Sequence, residues 1–152
     1  MLVYLDSSVL GRAYLPDEDG HELADGLLTG SEHLLVTSTW TAVEVTSALC
    51  RAARGHRIED PDELLAVLAA DMGEDGSVTV LRAAPEQVER RSTRLVREHP
   101  LRSLDALHLA VAEIAAVPLL EPGEQLGFAS RDEAQRTAAV ALGFVDIWPP
   151  AR

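Results

Sequence analysis

The sequence predicts an α/β fold with a mainly parallel central sheet covered by helices. Three observations carry this expectation. Short apolar runs of strand character alternate with longer helical patterns along the whole chain. The 152 residues fit one domain of ordinary size. Hydrophobic residues make up 47% of the chain but aromatics only 4%, so the core must be built from Leu, Val and Ala, which favours helices over an all-β fold.

The elements follow in order. Leu2–Leu5 is an apolar run of buried-strand type that ends at Asp6. A short helix over Ser7–Leu15 is stopped by Pro16, and a second covers Asp19–Leu28 with Gly30 as its stop. Leu34–Thr37 reads as the second strand. Ser38 or Thr39 caps a helix to about Arg54, closed by Gly55. Asp60 caps the next, with Pro61 at its favoured first position, running to about Met72. Val78–Leu81 is a third strand, and Pro85 opens a helix to about Glu98. Ser103 caps a helix over Leu104–Ala116, with Leu104, Leu107, Val111 and Ile114 as its apolar stripe. Leu126–Ala129 is a strand, Asp132–Leu142 a helix, and Phe144–Ile147 a last strand. This is one domain over residues 1–148 with a tail at 149–152. No repeat or linker interrupts it.

Bulk properties exclude some classes. No run of about 18 apolar residues exists, so a membrane span is not expected. MLVYLDSS lacks a basic region and reads as a strand rather than a signal peptide. Cys50 is the only cysteine, which rules out an internal disulfide; a cytoplasmic location and a buried Cys50 are expected. The formal net charge of −12 argues on its face against nucleic-acid binding. Two readings remove the conflict: some acids sit in a metal site whose cations cancel them, or the excess is solvated or faces a basic partner.

Ligand sites in parallel sheets gather at the carboxyl ends of the strands. Asp6 ends the first strand, and Asp132 follows the fourth within Gly127-Phe128-Ala129-Ser130-Arg131-Asp132. Glu44 lies in a helix otherwise made of Thr, Ala, Val and Ser, beside the apolar pair Val45 and Leu49. Asp105 stands two residues after Ser103, in a helix's first turn. Singly, Asp6 and Asp132 fit the role of helix caps, and Asp105 that of a dipole complement. Together the four fit a site for hard divalent cations, which prefer oxygen donors and serve phosphodiester cleavage by activating water and screening charge on phosphorus.

The motifs resemble those of PIN-domain nucleases. Val3-Tyr4-Leu5-Asp6-Ser7-Ser8-Val9-Leu10 is similar to the family's opening motif, and Trp40-Thr41-Ala42-Val43-Glu44-Val45 to its second. Leu104-Asp105-Ala106-Leu107-His108-Leu109-Ala110 resembles the third and is the most specific. Phe128-Ala129-Ser130-Arg131-Asp132 with Leu142-Gly143-Phe144 resembles the fourth. Order, spacing and length look most like VapC-type toxins of bacterial toxin–antitoxin pairs. The resemblance implies a three-layer α/β/α sandwich and an Mg²⁺- or Mn²⁺-dependent endoribonuclease acting on RNA. It also implies a VapB-like antitoxin covering the active site, and a homodimer. Asp6, Glu44, Asp105 and Asp132 become its acidic quartet, the first and third as the surest ligands. Ser7, Ser8 and Ser130 become hydrogen-bonding partners of a ligand carboxylate or a metal-held water. Pro118–Gln125 looks longer than the family's turn there, which bears on the shape of the nearby groove.

Arg12 stands where the family often carries a basic residue, facing RNA phosphate or an antitoxin carboxylate; Arg51, Arg54, Arg102 and Arg131 are weaker versions of the same idea. His108, three residues after Asp105, invites a zinc reading, but the other histidines lack ligand spacing, and a structural role is expected. Trp40 and Trp148 are assigned to packing rather than base stacking. Two rivals stand beside the nuclease. A phosphatase with an Asp6 nucleophile lacks its general acid, because Ser8 occupies that position. A non-catalytic PIN-like module that binds RNA or protein is the alternative of another class.

Overall fold

A computed structural model describes residues 1–30 and 32–148. The expected tail at 149–152 lies outside the described residues. The strands are β1 (Leu2–Leu5), β2 (Leu34–Ser38), β3 (Val78–Leu81), β4 (Gly127–Ala129) and β5 (Val145–Asp146). The helices are α1 (Ser7–Ala13), α2 (His21–Gly30), α3 (Thr39–Arg54), α4 (Pro61–Asp71), α5 (Pro85–Glu98), α6 (Ser103–Val111) and α7 (Glu133–Ala141).

All strand pairs are parallel, in the order β3-β2-β1-β4-β5. β1 is therefore the middle strand. The chain builds outward from it on one side through β2 and β3, then returns to its other side as β4 and β5. That reversal opens a crevice at the carboxyl ends of β1 and β4, the place where such sheets carry their sites.

Alternation along β1 divides the core. Leu2 and Tyr4 face one cluster with Val88 and Leu95 of α5, Leu109 and Ala110 of α6, and Ala138 and Ala139 of α7. Val3 and Leu5 face the other, with Val9 and Leu10 of α1, Ala24 of α2, Val45 and Leu49 of α3, and Leu68 of α4. This is the three-layer α/β/α sandwich. The aromatic residues are few but concentrated: Tyr4 stacks on Phe128 at 5.4 Å, and Phe128 on Phe144 at 6.1 Å.

Several boundaries shift for identifiable reasons. α2 begins at His21 rather than Asp19 because Gly20 takes a φ of +88°, outside the helical region. α1 stops at Ala13, with Tyr14 as its cap. β4 and β5 are shorter than expected at their ends. The helix expected over 104–116 starts one residue earlier, with Arg102 rather than Ser103 in the cap position. It then widens into a π-helical segment, Ala112–Ala116, and tightens into a 3-10 turn, Val117–Leu119, around Pro118, which has no N–H for a regular ladder.

The stripe of α6 is wider than expected. Val111 is buried, and Leu107 and Ile114 pack against the first cluster, but Leu104 is exposed, and Ala106, His108, Leu109 and Ala110 are also deeply buried. Short Ala side chains let the helix lie close to the sheet. Cys50 is half-buried rather than enclosed. Trp148 is buried in the second cluster, while Trp40 stays exposed. The 118–125 segment leads into the amino end of β4, whereas Asp132 follows its carboxyl end. It therefore lies toward the edge away from the acids and does not shape their groove. None of the described helices is long and apolar enough to cross a membrane.

Leu109 has no solvent exposure and sits between α6 and the sheet. Leu109→Ala is expected to lower unfolding stability by about 2–5 kcal/mol, read from urea denaturation with an unchanged slope.

Candidate active site

Asp6 stands one residue beyond β1 and is buried, with 4% relative exposure. Its amide donates to the Ala129 carbonyl at 2.9 Å, continuing the β1–β4 ladder past the strand. Its side chain caps α1: the Ser8 amide donates to Oδ2 at 2.9 Å. The ordinary capping role is thus real, but it uses one carboxylate oxygen. The other, Oδ1, accepts from the Gln135 side-chain amide at 3.2 Å.

Asp132 caps α7 in the same manner, accepting from the Gln135 backbone N–H at 2.8 Å through Oδ1. Its Oδ2 lies 3.8 Å from the exposed Arg102 guanidinium. Asp105, in the first turn of α6, accepts from the Arg102 backbone N–H at 3.3 Å. Burial, then the charges of Asp132 and Asp6, hold the Asp105 carboxyl above its ordinary value, against a smaller opposing pull from Arg102. The charges of Asp6 and Asp132 therefore both reach Asp105, while Arg102 lies near Asp105 and Asp132, and Arg12 and His108 act on Asp6.

Glu44, on α3, bonds to a histidine that also neighbours Asp6. Its Oε2 lies 2.6 Å from His108 Nε2. The carboxylate fixes a proton on that nitrogen, so in the neutral ring Nδ1 accepts from the Tyr4 hydroxyl at 2.9 Å. The Ser38 hydroxyl lies 3.3 Å from the same nitrogen. Burial pushes the Tyr4 hydroxyl far above its ordinary pKa, which keeps it a donor. Burial pulls the His108 pKa down, but the Glu44 hydrogen bond and the charges of Asp6, Glu44 and Asp105 outweigh it and leave it raised. His108 Nε2 is also 3.7 Å from Asp6 Oδ1, so the histidine joins the two halves of the site. The structural role expected for His108 holds, and both ring nitrogens are committed to protein groups.

The serines divide. Ser130, fully buried, receives the Asp132 N–H at 3.0 Å and donates to Gln135 Oε1 at 2.5 Å. Ser8 receives the Arg131 N–H on its hydroxyl at 3.1 Å, tying α1 to the chain after β4. Ser7 lines a cleft of about 580 Å³ between α1, α3 and the start of α6, with Ser8, Arg12, Glu44, Ser47 and Leu104. Arg12 is held there by the Ser8 carbonyl at 2.6 Å, the Asp19 carbonyl at 3.1 Å and Glu18 at 3.4 Å. Arg131 also donates to the Asp19 carbonyl. Arg51 reaches Ser47 on the cleft wall, and Arg54 is exposed.

Gln135 was absent from the sequence expectations. Fully buried, it donates to Asp6 Oδ1 and to the Asp105 carbonyl, both at 3.2 Å, accepts from Ser130, and gives its backbone N–H to Asp132. One side chain thus links the segments after β1 and β4 to α6. The available signal was its phase: Gln135 shares the inner face of α7 with Ala138, Ala139 and Leu142, where a polar residue needs a partner.

As placed, the described residues contain no three acidic, His or Cys side chains grouped to hold one metal ion. The donor chemistry nevertheless fits a hard cation. Asp6, Asp105 and Asp132 offer carboxylate oxygen, and burial followed by the charges of the other two acids holds the Asp105 carboxyl above its ordinary value. Glu44 offers a further carboxylate beside them, with Oε2 bonded to His108.

Gln135→Leu removes the partner of Asp6 Oδ1 and Ser130 at a buried position. It is expected to lower unfolding stability by about 1–3 kcal/mol, against less than about 0.5 for an exposed Gln→Leu change, in chemical denaturation.

The PIN domain family model matches residues 3–139. Ribonuclease VapC45 of Mycobacterium tuberculosis (strain CDC 1551 / Oshkosh) is 34% identical over 142 residues, 93% of this chain and 92% of that protein. Ribonuclease VapC49 of strain ATCC 25618 / H37Rv matches to the same extent. Among solved structures, the sarcin-ricin loop cleaving toxin VapC20 of M. tuberculosis superposes with a TM-score of 0.65 at 20% identity, covering 97% of this chain and 99% of that one. VapBC-1 from nontypeable Haemophilus influenzae gives 0.58 at 12% identity, covering 99% and 98%. The fold, the order of its motifs and these relatives agree: the chain belongs to the PIN domain family.

Proposed function

We propose that the chain is the toxin of a type II toxin–antitoxin pair, an endoribonuclease that hydrolyses RNA phosphodiester bonds with Mg²⁺ or Mn²⁺. The observation that carries this reading is that Asp105 feels the charges of Asp6 and Asp132, the two acids that follow the ends of β1 and β4, in a PIN chain 34% identical to proteins named ribonucleases.

Asp6 and Asp105 are assigned as the direct cation ligands, with Glu44 and Asp132 completing the set. When bound, the cation supplies an activated water and screens charge on the phosphate. The chain's own residues prepare the place. Ser8 and Gln135 fix both oxygens of Asp6. Ser130 holds Gln135, and the α7 cap holds Asp132. The cleft beside Glu44 and Leu104 gives an extended strand room to reach the acids, with Arg12 and Arg51 on its walls.

A VapB-like antitoxin is the proposed partner, and a homodimer the proposed assembly. Structural neighbours include a toxin–antitoxin complex from Klebsiella pneumoniae and VapBC-1 from H. influenzae, which supports an antitoxin partner.

The test is cleavage of single-stranded RNA with Mg²⁺ or Mn²⁺ by wild type, Asp6→Asn and Asp105→Asn. Each variant is expected to lose about a hundredfold or more in rate, which corresponds to about 2.7 kcal/mol. Equal cleavage by all three contradicts the assigned roles. No cleavage by wild type with either cation favours the non-catalytic module.

A further inference from the structure

The basic residues of this acidic chain are unevenly spread. All thirteen are arginine, and six of them, Arg82, Arg90, Arg91, Arg94, Arg97 and Arg102, fall within residues 82–102 against three acids. The rest of the chain carries seven arginines against twenty-two acids. The positive field is therefore concentrated on α5 and its flanks.

On α5 the inner face is Val88, Ser92 and Leu95. Arg90, Arg94 and Arg97, at spacings of four and three, share the opposite, exposed face. They form a ridge rising about 10 Å along the helix axis. Arg94 lies 3.7 Å from Glu98. Among the described residues Arg90 and Arg97 have no ion pair. Arg91 does different work: it clasps both Glu113 oxygens and so pins α5 to the π-helical segment. Beside the ridge, Gln87, Arg90, Arg91 and Arg94 line a hollow of about 270 Å³ with Glu113 and Ile114. Past the end of α5, three residues lead to Arg102, whose guanidinium is 3.8 Å from Asp132.

We infer that this ridge is a track for the RNA backbone: Arg90, Arg94 and Arg97 contact phosphates that flank the scissile bond, and Arg102 carries the strand to the acids. The inference rests on the ribonuclease reading and adds where the substrate lies. The physical need is plain. A polyanion approaching a chain of net charge −12 requires a local region of opposite sign, and affinity for phosphates comes mainly from cations that displace condensed counterions. Exposed arginines at one-turn spacing, held on a pinned helix that ends at the site, meet that need. An acidic peptide segment is the competing occupant, and the experiment separates it.

The probe is a fluorescent single-stranded RNA of about 20 nucleotides, bound in anisotropy by Asp6→Asn protein with the ridge intact or changed to Arg90→Gln/Arg94→Gln/Arg97→Gln. Removal of three contacts is expected to weaken binding about tenfold or more at moderate salt and to flatten the slope of log affinity against log salt by about 2. The triple Arg→Lys variant keeps the charge and should keep most of the affinity and slope. Unchanged affinity and slope in the Gln variant, with its melting temperature intact, overturn the inference. So does a Gln variant that binds RNA normally but loses binding to a fluorescent polyglutamate peptide held by the intact ridge, which assigns the ridge to an acidic peptide. Cleavage by wild type on the same RNA is scored separately. Cleavage with no effect of the ridge overturns this inference alone, while ridge-dependent binding without cleavage overturns the nuclease reading alone.

Discussion

Mutual repulsion among carboxylates at one sheet edge is the constraint on which the rest of this structure depends. Asp6 is nearly enclosed, and Asp105 and Asp132 act on the same small volume. Neighbouring like charges disfavour one another unless something holds them. The protein holds them by backbone geometry. Asp6 and Asp132 are kept in place by capping the helices that follow them, and Asp105 by the Arg102 N–H at the start of its own helix. Gln135 then ties Asp6, the Asp105 carbonyl and the α7 start into one network. Strand order does the remaining work, because the reversal at β1 places two strand ends side by side.

Glu44 and His108 form the second half of the site. In this arrangement the glutamate is bonded to the histidine rather than grouped with the three aspartates. His108 is in turn held by Tyr4, whose ring belongs to the aromatic stack of the core. The position of Glu44 is thereby coupled to packing of the sheet itself. A single polar path runs from the cleft wall through His108 to the central strand.

Much of this was legible in the sequence. Every strand and helix was expected within a few residues, because apolar periodicity and the Pro and Gly punctuation are local signals. Asp6 and Asp132 were readable as strand-end acids, and the motif resemblance brought Glu44 and Asp105 to them. What escaped was tertiary. Gln135 is an ordinary helical residue until the fold buries it against Asp6. His108 reads as structural, yet its bond to Glu44 joins residues 64 positions apart. The stripe of α6 held at Leu107, Val111 and Ile114 but not at Leu104, and it missed the buried alanines, whose burial carries little hydrophobic signal. The 118–125 segment was expected to bear on the groove from its length against the family's turn, whereas its position follows from its connection to the amino end of β4.

The central claim is that the carboxylate edge is built to receive a divalent cation. Thermal melting of the wild-type protein during titration with MgCl₂ or MnCl₂, at constant ionic strength, tests it most directly. A cation that binds only the folded chain must raise its stability, by about 2.7 kcal/mol at a hundred times the dissociation constant. A saturating rise in melting temperature is expected with at least one of the two cations. Asp6→Asn and Asp105→Asn are expected to abolish or strongly reduce that rise. A melting temperature that stays flat with both cations, or a rise that survives both substitutions, contradicts it.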